Sequence, residues 1–456
     1  MNALIISAVF GVIMMFSGLL LKKKSSVRGL AVTGIIILLL VNIAEMYTGP
    51  FVKISMDGMM RFDRFSLLFN SIIFFCMLFY FLLSARDMEK VGADYAEYFA
   101  LIFFILAGTV MVASFTSLLI LFLGIEIISI PLYILTGSDK KNLKSNEASL
   151  KYFLMGAFST GLMLMGIALI YGSTGTFDTG LMRIAVKSPD LPAVAGMLML
   201  LFSMSFKVSA APFHFWTPDV YDGAPTVFTS FMATIVKVAV FIGFIRLFDE
   251  AFNGLSQTWQ LWVAVISAAT LFIGNITAVF QQSVKRMLAY SSISQAGFML
   301  FALFAMNSIA KEGILIYALA YSLATITVFA VLVRMADYTF EGFNGLARQQ
   351  PLVAAVVTIC LLSLAGIPLT AGFLAKFYML DAVMFTGHYL WLVIFGVIMA
   401  AVSAYCYFRV IQAMYFKEGN TDIVAGTGFK VLLVIVAGLI ILIGTFPSIL
   451  LYWLYF

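Results

Sequence analysis

Along this chain apolar residues run almost unbroken for about 20 positions at a time, then give way to short polar stretches. Neither an alternating strand pattern nor a one-faced helical pattern dominates. A run of that length, wound as a helix, covers the roughly 30 Å hydrocarbon core of a bilayer. Fourteen such spans are predicted, at 2–21, 29–48, 65–84, 95–113, 116–137, 150–172, 192–222, 226–248, 259–281, 287–306, 313–333, 351–383, 389–414 and 429–451. The pattern predicts an all-α polytopic membrane protein with short loops and no water-borne domain. Lys22, Lys23 and Lys24 follow the first apolar run instead of preceding it, the reverse of a secretory signal, so the first span is expected to be retained.

Composition agrees with the pattern. Of 456 residues, 63% are hydrophobic and 11% charged, with a mean hydropathy of +1.06, which leaves too little polar surface for a soluble globular fold. A net charge of +5 offers no basic face for nucleic acid. Cys76, Cys360 and Cys406 stand apart in apolar runs, without the spacing of a zinc or iron–sulfur site. They read as small packing residues. No Gly-rich phosphate loop is present to hold NADH, a flavin or ATP.

The distribution of charge orients the spans. Loops after odd-numbered spans, with residues such as Arg86, Lys144, Arg286 and Arg334, carry 17 Lys and Arg, and loops after even-numbered spans, with Lys53, Lys187 and Arg246 among theirs, carry 7. The positive-inside rule makes the odd loops cytoplasmic and puts both termini outside. Five tryptophans, among them Trp216, Trp259, Trp391 and Trp453, fall near predicted interfaces, as does His388.

Four charged groups remain inside the spans: Glu126, Lys207, Lys237 and Lys376. Each costs roughly 2.5–3.5 kcal/mol at mid-membrane unless it is paired or faces water. Glu126, in GIEIISIPLY, and Lys237, in FMATIVKVAVF, are central in their spans and cannot reach the headgroups. They admit two readings, a static ion pair between two helices or groups that titrate and pass protons, since burial brings amines and carboxyls toward neutrality. Lys207 and Lys376 lie beside prolines in unusually long spans. Pro212 in SMSFKVSAAPFHFW, and Gly366 with Pro368 in SLAGIPLTAGFLAKF, predict two broken helices. Interrupted helices in the two halves of a membrane protein point to a transport path. His214, seven residues after Lys207, either continues that path or is a histidine hydrogen-bonded in the loop.

The run SMSFKVSAAPFHFWTPDVYDGAPTVFTSFMATIVKVAVF, with VKRMLAYSSISQAGF and LAGIPLTAGFLAKFYML after it, resembles the proton-conducting membrane family shared by respiratory complex I and Mrp-type cation/proton antiporters, over about residues 95–416. The resemblance implies that Glu126 is the essential carboxylate of the fifth helix and Lys207 the lysine of the broken seventh. It implies that Lys237 is the connecting lysine of the eighth and Lys376 the terminal lysine of the broken twelfth. Two inverted five-helix repeats are implied, dividing the chain into 1–94 (helices 1–3), 95–248 (helices 4–8), 249–416 (helices 9–13) and 417–456 (helix 14). Leu369 departs from the pattern, in which a second proline often follows Gly-Ile-Pro.

Three functions follow as expectations. The first is a proton-translocating subunit of complex I in a bacterial inner membrane, among other antiporter-like subunits, with NADH, FMN, iron–sulfur clusters and quinone held by partner subunits. The second is a sodium/proton antiporter subunit, or the membrane subunit of a related hydrogenase, and for the antiporter Lys376 stands where a cation-binding set would want an acid. The third is a solute or lipid permease, for which the spans carry few Asn, Arg and Gln to line a cavity.

Overall fold

The computed structural model describes residues 1–456 apart from 22, 53–55, 57, 93–94, 186–189, 420, 422 and 456. Lys22, Lys53 and Lys187, counted above among the loop charges, lie outside the described residues, as does Phe456. The chain is all-helical, and among the described residues twelve helices are long and apolar enough to span a membrane. These are α1 (Asn2–Leu20), α2 (Lys24–Thr48), α3 (Arg64–Met88), α4 (Tyr95–Ser114), α5 (Leu118–Thr136), α6 (Leu143–Thr174), α8 (Thr226–Ala251), α9 (Ser256–Val279), α10 (Val284–Ala305), α11 (Ser308–Leu332), α13 (Leu390–Phe416) and α14 (Thr427–Thr445). The other two are shorter, α7 (Leu191–Lys207) and α12 (Pro351–Ala365), and each is continued past a break, by helices Trp216–Gly223 and Ala371–Met384 respectively.

Helix starts follow from side chains that can accept from the free N–H groups of a first turn. Asp63 accepts from Ser66 N at 2.8 Å, Asp190 from Ala193 N at 3.0 Å, and Asn307 from Ala310 N at 2.9 Å. Ser173 also donates to Asp190, and these bonds hold that carboxyl below its ordinary range. Glycines in left-handed conformations end α6 at Gly175 (φ 69°) and α12 at Gly366 (φ 86°).

Burial sorts the helices into a core and a rim. The apolar stretches of α8 and α11 are wholly buried within the chain, whereas those of α1, α2, α6, α13 and α14 are about one-third buried and turn their remaining faces outward. Trp216 and Trp259 belong to the interior, each donating from Nε1 to a backbone carbonyl, Phe206 O at 3.1 Å and Phe252 O at 2.9 Å. That corrects their assignment to an interfacial belt. Trp391 is exposed, and so is His388 between the Ala371–Met384 helix and α13.

Packing recurs between two sets of five helices. α4 packs on α5, α6 on α7 and α4 on α8, while α9 packs on α10, α11 on both halves of α12 and α9 on α13. One loop contact is also repeated. Leu118 N donates to Phe177 O at 3.0 Å at the start of α5, and Val284 N donates to Tyr338 O at 2.8 Å at the start of α10.

Several charges sit in helix ends where loops were expected. Arg246 is inside α8, buried, and donates to Asp63 Oδ2 and Phe115 O at 2.9 Å each while pairing with Glu250 at 3.1 Å. Its long side chain finds partners on neighbouring helices, which a hydropathy count cannot foresee. Lys151 likewise stands two turns into α6, pairing with Asp219 at 2.9 Å.

Candidate functional site

α7 ends at Lys207 because the backbone from Val208 to Phe215, containing Pro212 and a left-handed Ser209 (φ 66°), cannot continue the helix. The ammonium therefore lies at the carboxyl end of a helix, where free carbonyls and the helix dipole favour a cation. Lys207 Nζ donates to Ser129 Oγ at 3.0 Å and approaches Thr160 Oγ1 at 3.5 Å and Glu126 Oε1 at 3.9 Å. Thr160 Oγ1 donates to Glu126 Oε1 at 2.7 Å. The carboxylate and amine are thus joined in part through a hydroxyl. Three helices contribute: Glu126 and Ser129 share one face of α5, three residues apart, and Thr160 comes from α6.

Glu126 faces Lys207 and not Lys237, which corrects the reading of a static Glu126–Lys237 pair. Lys237, 2% exposed, has no carboxylate partner among the described residues and donates to Ser292 O at 3.0 Å and Ser292 Oγ at 2.9 Å on α10. The Tyr221 ring lies 5.6 Å from its ammonium. Within α8, residues Met232–Val236 form a π-helical turn immediately before Lys237. Such turns shift the register of the following side chains, and they gather at functional positions.

The second break runs from Gly366 to Thr370. Lys376, on the far half, reaches back across it and donates to Ala365 O at 3.0 Å, with the Phe298 ring 4.7 Å away. Lys207 and Lys376 therefore both place their ammonium at the carboxyl end of the first half of a broken helix. A Cβ on Gly366 would meet Lys376 Cδ at 2.9 Å, so the glycine is required for this approach as well as for its φ. Leu369 takes a left-handed φ of 71°, which a proline ring excludes; this turn is built without the second proline of the family pattern.

Between Lys237 and Lys376 lies a hydrogen-bonded row that charge alone did not reveal. Gln295, three residues beyond Ser292 on α10, accepts from Tyr317 OH and donates to Leu364 O at 3.1 Å and Tyr407 OH at 3.0 Å. Tyr407 in turn shares a hydrogen bond with Ser291. A cavity of about 10 Å³, the room of about one water, touches Gln295, Tyr317, Tyr321 and Lys376. Among the described residues no hydrogen bond or ion pair joins His214 to the lysines; it is buried in the first break with its ring 4.6 Å from Phe215. The only sequence signal for Ser129, Thr160, Ser292 and Gln295 is that they are polar within apolar runs.

The aspartates of WTPDVYDG serve as ties. Asp219 receives Lys151 at 2.9 Å and Arg286 at 3.1 Å, and Lys285 donates to Asp222 O and Ala224 O, fastening the helix beyond the first break to α6 and α10. Cys76, Cys360 and Cys406 are all buried and free, as packing residues should be.

Two interrupted helices, each bringing a lysine to its break, with a third lysine on a continuous helix, define a polytopic membrane protein of the antiporter-like class. The family described as NADH:quinone oxidoreductase/Mrp antiporter, transmembrane, matches residues 115–403, and the chain belongs to that family. NADH-quinone oxidoreductase subunit N of Cytophaga hutchinsonii is 40% identical, with 99% of each chain covered. Subunit N of Flavobacterium psychrophilum is 36% identical over 99% of each. A chain of respiratory complex I from Thermus thermophilus superposes with a TM-score of 0.85 at 30% identity over 98% of each. A chain of the Mrp complex from Dietzia sp. shares the fold, with a TM-score of 0.86 at 19% identity over 99% and 95%. The resemblance drawn from the three motifs is borne out.

Proposed function

We propose that this chain is the N-type proton-translocating membrane subunit of an NADH-quinone oxidoreductase, moving protons along Glu126, Lys207, Lys237 and Lys376 while other subunits perform the redox chemistry. The observation that carries this reading is the placement of Lys207, its side chain 7% exposed, and of the buried Lys237 and Lys376, on two broken helices and a π-turned one, in a chain 40% identical throughout to a protein of that name. NADH, FMN, iron–sulfur clusters and quinone belong to its partners, which include neighbouring antiporter-like subunits. The chain lies in a bacterial inner membrane with both termini outside. His214 is a secondary candidate for the path.

The domain division is part of the proposal. Residues 1–94 precede a unit of α4–α8 (95–248) and a unit of α9–α13 (249–416), and 417–456 close the chain. Supporting an inverted repeat, α7 and α12 each stand fourth in their unit, and the paired loop contact sets a register. Glu126 lies nine residues after Ser117, and Ser292 nine after Ser283. That register matches the carboxylate beside Lys207 to the serine that holds Lys237.

In the switch, ionised Glu126 holds Lys207 in its charged form, because an opposite charge offsets the loss of hydration. Separating the pair favours release of the proton toward Lys237 and onward to Lys376. A redox event elsewhere need only favour the separated arrangement by a few kcal/mol. Glu126→Gln keeps the shape and removes the charge, so pumping by the assembled complex should fall sharply. Lys207→Ala should match it, and the double variant should be scarcely worse than either, since groups acting as a unit are not additive. Normal pumping by fully assembled Glu126→Gln would refute the switch.

A further inference from the structure

A cavity of about 740 Å³ opens where the start of α2, the ends of α3 and α11 and the start of α14 meet. All four termini lie on the face served by odd-numbered loops. The wall carries Arg28, Arg86, Lys90 and Arg334. Asp87, itself buried, receives Lys90 at 2.7 Å and Arg334 at 3.4 Å, and Glu89 just outside receives Arg28 at 2.9 Å. Arg86 has no carboxylate partner among the described residues, and the site keeps a surplus of two positive charges there. The Arg334 guanidinium is fixed in orientation, stacked 3.3 Å from the centre of the Phe429 ring. The rest of the wall includes Leu82, Leu83, Val333, Phe429 and Leu432 and is apolar. Leu82 and Val424 are exposed, and Cβ atoms added to Gly426 or Gly428 would meet nothing within 4 Å.

We propose that this cavity binds the headgroup of an anionic phospholipid, with its phosphate between Arg86 and Arg334 and an acyl chain descending along Leu82. Charge complementarity commits the site to this occupant: guanidinium groups match phosphate oxygens in geometry and charge. Basic pockets between membrane helices at one bilayer face meet lipid headgroups at the depth where they lie. A soluble anion would use the cations and leave the apolar wall bare, whereas a lipid uses both. The site is separate from the lysine path and does not depend on the function proposed above.

The test uses the assembled complex in mild detergent and a phosphatidylglycerol carrying a photoreactive acyl chain. Labelling of this chain should occur at the cavity wall. Unlabelled phosphatidylglycerol should compete at least tenfold better than phosphatidylethanolamine, and inorganic phosphate should not compete. Arg86→Gln should weaken labelling about tenfold, the scale of one lost phosphate contact. Gly428→Trp, which fills the space without touching a charge pair, should abolish it. Labelling unchanged in both variants would overturn the proposal, as would equal competition by phosphatidylethanolamine or displacement by inorganic phosphate. So would a cysteine placed by Val424→Cys that cross-links to another polypeptide of the complex, because the cavity would then be covered by protein.

Discussion

At the scale of single residues, the environment of each lysine matters more than its presence. Lys207 is met by two hydroxyls before it meets a carboxylate, and Thr160 touches both partners. Thr160→Val should therefore reduce proton pumping several-fold in an assembled complex while Thr160→Ser retains it, as read by a pH-gradient dye in reconstituted vesicles. Equal pumping by both would make the hydroxyl incidental. Gly366 is under two demands, a left-handed φ and the aliphatic stem of Lys376 against it. Gly366→Ala should cost about 1–2 kcal/mol in backbone strain, and should lower pumping more than it lowers the amount of complex seen on a native gel. A loss of assembly alone, with full activity per complex, would count against a role in holding Lys376.

Each break in an element leaves carbonyls that hydrocarbon cannot satisfy, and side chains from elsewhere answer them. Trp216 donates to Phe206 O, Gln295 to Leu364 O and Lys376 to Ala365 O. Gln295→Leu orphans a buried carbonyl and frees Tyr317 and Tyr407, a loss of about 1–3 kcal/mol. It should slow proton transfer between the two halves, visible as reduced pumping with electron transfer less affected. Pro212→Ala and Pro368→Ala ask whether the breaks matter at all: both should reduce flux while assembly survives. Unchanged pumping in the two would show the breaks to be incidental.

At the scale of the molecule, orientation is the property most open to direct test. A reporter fused after Lys144, ahead of most of α6, should be cytoplasmic, and one fused near Thr179 should be outside, following the excess of basic residues on the odd loops. The reverse result would invert the direction proposed for the path. Ties such as Arg246 to Asp63 and Phe115, and Asp219 to Lys151 and Arg286, join helices far apart in the chain and hold the bundle at both ends.

The helical, many-span character, the two breaks and the four charged candidates were legible in the chain because each depends on local chemistry. Twenty apolar residues must cross, a proline cannot donate within a helix, and a charge in hydrocarbon is conspicuous wherever the helix is packed. The boundaries slipped where charged side chains extend a helix beyond its apolar run, as in α6, which begins at Leu143 instead of near 150. Partnership was mostly not legible. That Ser292 and not a carboxylate holds Lys237, and that Lys376 bends back to Ala365, follow from how helices distant in sequence are set side by side. The burial of Trp216 and Trp259 was hidden for the same reason. Hydropathy records how strongly a segment prefers the bilayer, but lipid tails and protein interior are equally apolar, so which face of a helix meets lipid and which meets another helix is settled only by packing.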